Sequence, residues 1–173
     1  PLPTQVLDKT YATCIGGNTT QQCIANMLWI AFYFLMRPGE YCNSGSAADK
    51  SHPFRLCDVT FRRDDWVFDT FSTPLAELVN ANHVALTFTT QKNGIKGEVI
   101  GQRASGHPTA CPVRRCLHRV AYLHCHSSSR TTPLGACKVA GKWRTLRAGD
   151  ITQALQATIR EIGETVGLAQ AEI

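Results

Sequence analysis

The chain contains no long uninterrupted apolar run. The longest, from Ile24 to Met36, is broken by Asn26 and is shorter than the roughly 20 residues that a membrane-spanning helix needs. The first ten residues, PLPTQVLDKT, lack the basic-then-apolar order of a secretory signal peptide. Both absences speak against a membrane partner and against secretion. The sequence also begins with Pro1 and not with Met, so we expect a fragment or a processed product.

The composition also lacks the features of a disordered chain. Hydrophobic residues make up 43% and charged residues 18% of the sequence, as in globular proteins. We see no internal repeat and no long low-complexity linker. A length of 173 residues is enough to bury a sizeable core and predicts one domain or slightly more.

Eight cysteines are present, but nothing in the sequence directs the chain to an oxidising compartment. We therefore expect reduced thiols and a nuclear or cytoplasmic location. Cys23 falls in a helical pattern and Cys57 in a strand pattern, so both are interpreted as small buried side chains.

A standard zinc framework is missing as well. The spacings of the cysteines and histidines in the second half fit neither a Cys₂His₂ nor a double Cys-x₂-Cys arrangement. We therefore assign no metal ligand. The residues considered are Cys111, Cys116, His118, His124, Cys125, His126 and Cys137.

Acidic residues are almost absent from residues 91–148. This block has eleven Lys or Arg residues and one acid, Glu98, so its formal charge is +10, whereas the rest of the chain is −5. A concentrated positive block is typical of a protein that binds a polyanion, nucleic acid first, although a solvated basic face would look the same. The candidate phosphate-backbone contacts are Arg114, Arg115, Arg119, Lys142 and Arg144.

Three helices stand out by their periodicity. The first begins at Asn18 or Thr19, with Gln22 as the capping-box partner, and ends at Arg37 because Pro38 follows. The second covers the sequence CPVRRCLHRVAYLHCH, in which the arginines occupy the more polar positions. The third covers DITQALQATIREIGETVG, where Asp150 is the expected cap and Gly167 the expected end.

Strand signals are fewer. The sequence FRLCDVTFR alternates as a short strand does, and a brief helix is predicted with Ser72 or Thr73 as its cap and Pro74 at its first position. Two β-rich runs flank Asn93-Gly94, a pair that favours a tight hairpin turn, so Lys92 and Lys96 are expected near the hairpin tip. The predicted class is α+β, mostly helical, with a small antiparallel sheet made of this hairpin and a short strand.

The arginine at a helix end, the lysine at a hairpin tip and the basic block together suit phosphodiester chemistry. Arginine binds a phosphate in bidentate fashion and stabilises charge on its non-bridging oxygens. Lysine can protonate a departing oxygen, and a basic surface can hold the rest of the DNA backbone. The alternative for Arg37 is an ordinary helix-end arginine that pairs with Glu40 or with a carbonyl.

The motifs MRPGEYC, FRLCDVTF and TFTTQKNGIKGE, in this order, resemble the tyrosine recombinase (phage integrase) family over roughly residues 19–170. The resemblance implies that Arg37 is the first catalytic arginine and Glu40 its supporting acid. It implies that Lys92, or as second choice Lys96, is the catalytic lysine. The RPGEY form is most similar to recombinase-like domains of eukaryotic mobile elements.

The family also needs a His-x-x-Arg box and a nucleophilic tyrosine, and neither follows Gly149 in this sequence. Residues 1–173 therefore resemble a partial catalytic domain, without the N-terminal DNA-clamping domain and the C-terminal catalytic boxes. The resemblance implies DNA strand exchange without metal or nucleotide cofactor, with DNA and other recombinase subunits as partners. Whether the chain is itself an enzyme stays open, because the alternative is a catalytically dead module that binds DNA or pairs with a recombinase.

Overall fold

The computed structural model describes residues 3–43, 52–89 and 97–167 and has an α+β architecture, as predicted. In these ranges the α-helices are α1 Thr4–Ile15, α2 Thr19–Phe34, α3 Pro38–Tyr41, α4 Leu75–Leu78, α5 Pro112–Cys125 and α6 Ala148–Ile162. The strands are β1 Val59–Arg63, β2 Trp66–Phe68, β3 His83–Phe88, β4 Glu98–Arg103, β5 Ala136–Val139 and β6 Lys142–Thr145. Single 3-10 turns cover Leu56–Asp58 and Glu164–Val166.

Helix α2 is the centre of the core. It is buried without interruption from Cys23 to Ile30, and it packs against α1, α5, α6 and β5. The Asn18 side chain accepts hydrogen bonds from the backbone N–H groups of Thr20 and Gln21, and the Gln21 side chain accepts one from Asn18. The predicted cap is thus confirmed, with Gln21 and not Gln22 as its partner. No helix within the described ranges is long and apolar enough to cross a bilayer.

The larger sheet has four antiparallel strands in the order β2-β1-β3-β4. One of its faces carries Phe61, Val84 and Leu86, which are buried in the core that the helices share. The pairing of β3 with β4 confirms the two arms of the predicted hairpin, whereas its Asn93-Gly94 turn lies outside the described residues. This pairing sets the ends of both strands side by side.

The strand predicted over FRLCDVTFR begins later than expected. Its first part forms the 3-10 turn, and strand pairing begins at Val59. The Asp58 carboxylate stabilises this turn by accepting the Arg55 backbone N–H at 2.8 Å. The prediction that Cys57 is buried is wrong, because its side chain is exposed in this turn, whereas Cys23 is fully buried as expected.

Two elements complete the fold around α2. Strands β5 and β6 form a second, two-stranded antiparallel sheet, joined by Ala140 and Gly141 with φ angles of 49° and 78°. Helix α6 begins at Ala148, so Asp150 is not its cap but lies in its first turn, where its carboxylate accepts the Arg147 N–H at 2.8 Å. An acid there also compensates the positive end of the helix dipole.

The Asn18→Ala variant tests the contribution of the α2 cap. It leaves two backbone N–H groups of α2 without their acceptor, so we expect the free energy of unfolding to fall by about 1 kcal/mol. Urea denaturation measures this change. The control Gln153→Ala alters an exposed position in α6, and its effect should stay within about 0.5 kcal/mol. Equal effects of the two substitutions would contradict a structural role for the cap.

Candidate functional site

The segment that follows α2 is shaped by the backbone conformations of Leu35 and Arg37 and by Pro38. Leu35 takes a left-handed conformation with φ 51° and ends the helix. Pro38 disfavours a helical conformation at Arg37, whose backbone is extended with ψ 153°. Pro38 then begins the single turn α3, which contains Glu40. The chain therefore leaves the core at Arg37 and returns to it at once.

Glu40 holds this turn in place. Its side chain is buried, with an exposed fraction of 5%, and its Oε2 accepts the backbone N–H of Arg37 at 2.8 Å. This differs from the alternative considered for Arg37, because the carboxylate binds the main chain and not the guanidinium. The predicted supporting acid therefore contacts Arg37 through its backbone.

The Arg37 side chain is exposed, and within the described part of the chain its guanidinium forms no ion pair or hydrogen bond. A planar guanidinium with five N–H donors can bind two oxygens of one phosphate. An arginine that lacks an internal carboxylate partner keeps that capacity for a ligand.

Arg37 lines a pocket of about 250 Å³. The end of α2 and Glu40 form one side of this pocket, and the core-side residues of β3 and β4 form the other, including Phe88, Glu98 and Ile100. The Gln102 side chain donates a hydrogen bond to the Tyr33 carbonyl at 2.9 Å, which fixes β4 against the end of α2. We refer to this space as the Arg37 pocket.

The ends of the predicted hairpin meet at this pocket. Phe88 and Glu98 are the last cross-strand pair of β3 and β4, and both line the Arg37 pocket. Lys92 and Lys96 themselves lie outside the described residues. Glu98 brings a second carboxylate to the pocket beside that of Glu40, so a bound phosphate would lie near one cationic and two acidic side chains.

Three of the five predicted backbone-contact residues lie at least partly on the surface. Arg114 and Lys142 are exposed. Arg144 is only partly exposed, and its Nη2 donates to both carboxylate oxygens of Asp150 at 2.5 and 2.6 Å. Arg114 and Lys142 are therefore free for a polyanion, whereas much of the Arg144 charge is already compensated.

The other two, Arg115 and Arg119, are buried, so the expectation that they contact a phosphate backbone is wrong. Arg115 donates to the Tyr11 hydroxyl and lies over the Tyr11 ring. Arg119 is only 2% exposed and donates to the carbonyls of Leu134 and Ala136. Internal acceptors therefore hold both guanidiniums, although the buried Nε of Arg115 has no hydrogen-bond partner within the described ranges.

Helical spacing could have indicated this burial. Arg119 lies three residues after Cys116 and four before Leu123, and both of these are fully buried on the apolar stripe of α5. The arginines of α5 were predicted to lie on its polar side because arginine is a charged residue. The carbonyls of Leu134 and Ala136 that compensate Arg119 come from a distant segment, and no local pattern predicts them.

Tyr33 lines the Arg37 pocket, but its hydroxyl is engaged in a structural hydrogen bond. The Tyr33 hydroxyl donates to the Ala110 carbonyl at 2.7 Å, and the Tyr122 hydroxyl accepts the Lys138 backbone N–H at 2.9 Å. Burial, and secondarily the neighbouring Cys42, raises the pKa of Tyr41 to about 12. The hydroxyls of Tyr33 and Tyr122 are thus held in structural hydrogen bonds.

One thiol with unusual chemistry was missed by the sequence analysis. A hydrogen bond from the Cys23 side chain, with further contributions from Thr20 and Arg119, lowers the pKa of Cys137 to about 6 despite its burial. A thiolate is the nucleophilic form of cysteine. It lies in β5, which packs against α2, and its side chain is completely buried, so no substrate can reach it in this structure. Within the described ranges, no group of three or more His, Cys, Asp or Glu side chains forms a metal-binding arrangement.

Substitution by methionine distinguishes the contribution to stability of the buried Arg119 from that of the exposed Arg114. Arg119→Met leaves the carbonyls of Leu134 and Ala136 without their donor, so we expect the free energy of unfolding to fall by about 3 kcal/mol. Arg114→Met changes an exposed side chain of the same helix, and its effect should stay within about 0.5 kcal/mol. Thermal and urea denaturation of both variants measure the difference. A stable Arg119→Met protein would show that this guanidinium is dispensable to the fold.

Comparison of the chain with protein-family models, with curated proteins and with solved structures gives no match. The function must therefore be derived from the chemistry of the Arg37 pocket and from the sequence motifs around it.

Proposed function

We propose that this chain binds DNA through a phosphate held at the Arg37 pocket, as the first part of a tyrosine recombinase-type catalytic domain. The observation that carries the proposal is the exposed guanidinium of Arg37, which has no ion-pair partner among the described residues. Glu40 holds Arg37 through the backbone at a pocket that the paired ends of β3 and β4 also line. The order of helix, Arg-Pro-Gly-Glu box, strand and hairpin along the chain supports the same proposal.

Each group has a separate task in this proposal. Arg37 binds two non-bridging oxygens of one phosphate and stabilises the charge that develops on them. Lys92, with Lys96 as the second choice, assists the departing 5′ oxygen. Arg114 and Lys142 add sequence-independent contacts to neighbouring phosphates. A partner at this site is DNA, and other recombinase subunits bound to the same DNA are further partners.

Complete strand exchange requires groups that these 173 residues do not contain. No His-x-x-Arg box and no tyrosine follow Gly149 in the sequence. The second candidate function is therefore a non-catalytic module that binds DNA or pairs with a complete recombinase. This absence favours DNA binding over strand cleavage as the activity of the segment by itself.

Replacement of Arg37 tests phosphate binding. Since a charge-assisted bidentate contact contributes about 1.5–3 kcal/mol, we expect Arg37→Ala to weaken DNA binding about ten-fold or more, and Arg37→Lys to recover only part of it. The affinity should also depend less steeply on salt: each lost phosphate contact should reduce the magnitude of the slope of log affinity against log salt by about 0.9. Fluorescence anisotropy on duplex DNA at several salt concentrations measures both quantities.

The matched control is Arg160→Ala, which removes the same charge from an exposed position near the end of α6. It should change the affinity much less than Arg37→Ala. If the two variants weaken binding equally, DNA responds to net charge alone and the Arg37 pocket has no special role.

A trapping experiment tests the division between binding and cleavage. We expect the 173-residue chain to form no covalent adduct with nicked suicide DNA substrates, because no tyrosine follows Gly149 in the sequence and the hydroxyls of Tyr33 and Tyr122 are held in structural hydrogen bonds. Denaturing electrophoresis of labelled DNA detects any adduct. A covalent protein–DNA species would assign a nucleophile to this segment and contradict the proposal.

A further inference from the structure

The face of the four-stranded sheet that points away from the core carries a row of three basic side chains. In the strand register Arg62 of β1 lies opposite His83 of β3, and His83 lies opposite Arg103 of β4. Side chains alternate between the two faces of a strand, and Phe61 and Val84, the neighbours of Arg62 and His83, face the core. The three basic residues therefore share the outer face.

This row lines an open pocket of about 440 Å³, whose other lining residues are Asp64, Asn82 and Ala104. Within the described ranges, neither the Arg62 nor the Arg103 guanidinium forms an ion pair or a side-chain hydrogen bond. Two uncompensated guanidiniums thus face one space. Their mutual repulsion is relieved when an anion lies between them.

The His83 ring fits between the two arginines because Gly101 of β4 has no side chain. A Cβ at Gly101 would meet Cε1 and Nε2 of the His83 ring at 2.5 Å, so the imidazole occupies the space that glycine leaves. Its Nδ1 is shielded from solvent and has no hydrogen-bond partner among residues 3–43, 52–89 and 97–167. Burial, together with the positive charges of Arg62 and Arg103, lowers the pKa of His83.

Asp64 is the acidic group at this pocket, and its carboxylate has another partner. Its Oδ1 accepts a hydrogen bond from the Asn82 side chain at 2.9 Å, and the Asn82 Oδ1 accepts the Asp64 backbone N–H at 3.2 Å. This reciprocal pair keeps the acid at the rim of the pocket, where it forms no ion pair with either arginine. The balance of charge in the pocket stays positive.

We propose that Arg62, His83 and Arg103 form a phosphate-binding site on the outer face of the sheet. Each arginine binds oxygens of the phosphate from one side, and His83 contributes an N–H or, once protonated, a third positive charge. The bound group is a phosphate oxyanion, supplied either by the backbone of a nucleic-acid strand or by free phosphate.

This site is separate from the Arg37 pocket and does not rest on the proposed function. The row lies at the His83 end of β3, whereas the Arg37 pocket lies at the Phe88 end and on the core side of the sheet. Six residues of an extended strand cover about 17 Å, so one phosphate cannot contact both places.

The His83 imidazole provides a direct readout. We expect its pKa, measured by NMR titration of the Cε1 proton, to rise when inorganic phosphate replaces chloride at equal ionic strength, because a bound anion stabilises the imidazolium. A single-stranded oligonucleotide without terminal phosphates is the second probe. A response to both probes assigns the site to the nucleic-acid backbone, and a response to phosphate alone assigns it to free phosphate. No response to either probe overturns the proposal.

Variants separate this site from general charge effects. Arg62→Gln and Arg103→Gln should each abolish the phosphate response of His83, and Arg62→Lys should recover part of it. Arg160→Gln and Arg37→Ala should leave the response unchanged, so failure of the Arg37 pocket as a DNA site does not affect this test. Amide NMR spectra verify that each variant is folded. A phosphate response that survives both glutamine substitutions would contradict the assignment.

Discussion

The burial of α2 on nearly all of its sides is the constraint on which the rest of the molecule depends. A helix surrounded by α1, α5, α6 and β5 has no freedom to rotate or slide, because each shift would open voids in a close-packed core. The position of its last residue, Phe34, is therefore fixed. The position of the Arg37 backbone depends on this fixed helix end.

A rigid helix end alone would not orient Arg37. The left-handed Leu35, the extended Arg37 and the buried Glu40 together turn the backbone sharply, so that the Arg37 side chain is exposed while Met36 and Glu40 are buried. Gln102 adds a hydrogen bond between β4 and the end of α2. The geometry of the Arg37 pocket thus comes from backbone contacts, which leave the guanidinium itself available.

Elements whose signals are local were predictable. The apolar run and the Asn18 cap indicated α2, and the two β-rich runs around Asn93-Gly94 indicated β3 and β4. Helix α1 was not predicted, although its buried residues Val6, Leu7, Thr10, Tyr11 and Cys14 have helical spacing. The β5–β6 hairpin was missed because its strands are four residues long and lack β-branched alternation.

The parts of the site that could not be predicted from the sequence depend on tertiary contacts. Arg115 and Arg119 look like surface residues until Tyr11 and the carbonyls of Leu134 and Ala136 are placed beside them. The row of Arg62, His83 and Arg103 exists only through strand register, since its members are up to 41 positions apart in the numbering. A sequence pattern reports neither kind of proximity.

The interior position of Arg119 has a consequence for how the molecule opens. Arginine cannot lose its charge by deprotonation, so separating the Leu134–Ala136 segment from α5 would leave a bare cation inside an apolar core. Local opening of that segment is therefore costly unless α5 unfolds with it. Amide protons around Ala136 should then exchange only with global unfolding, so this small peripheral sheet belongs to the slowest-exchanging part of the protein.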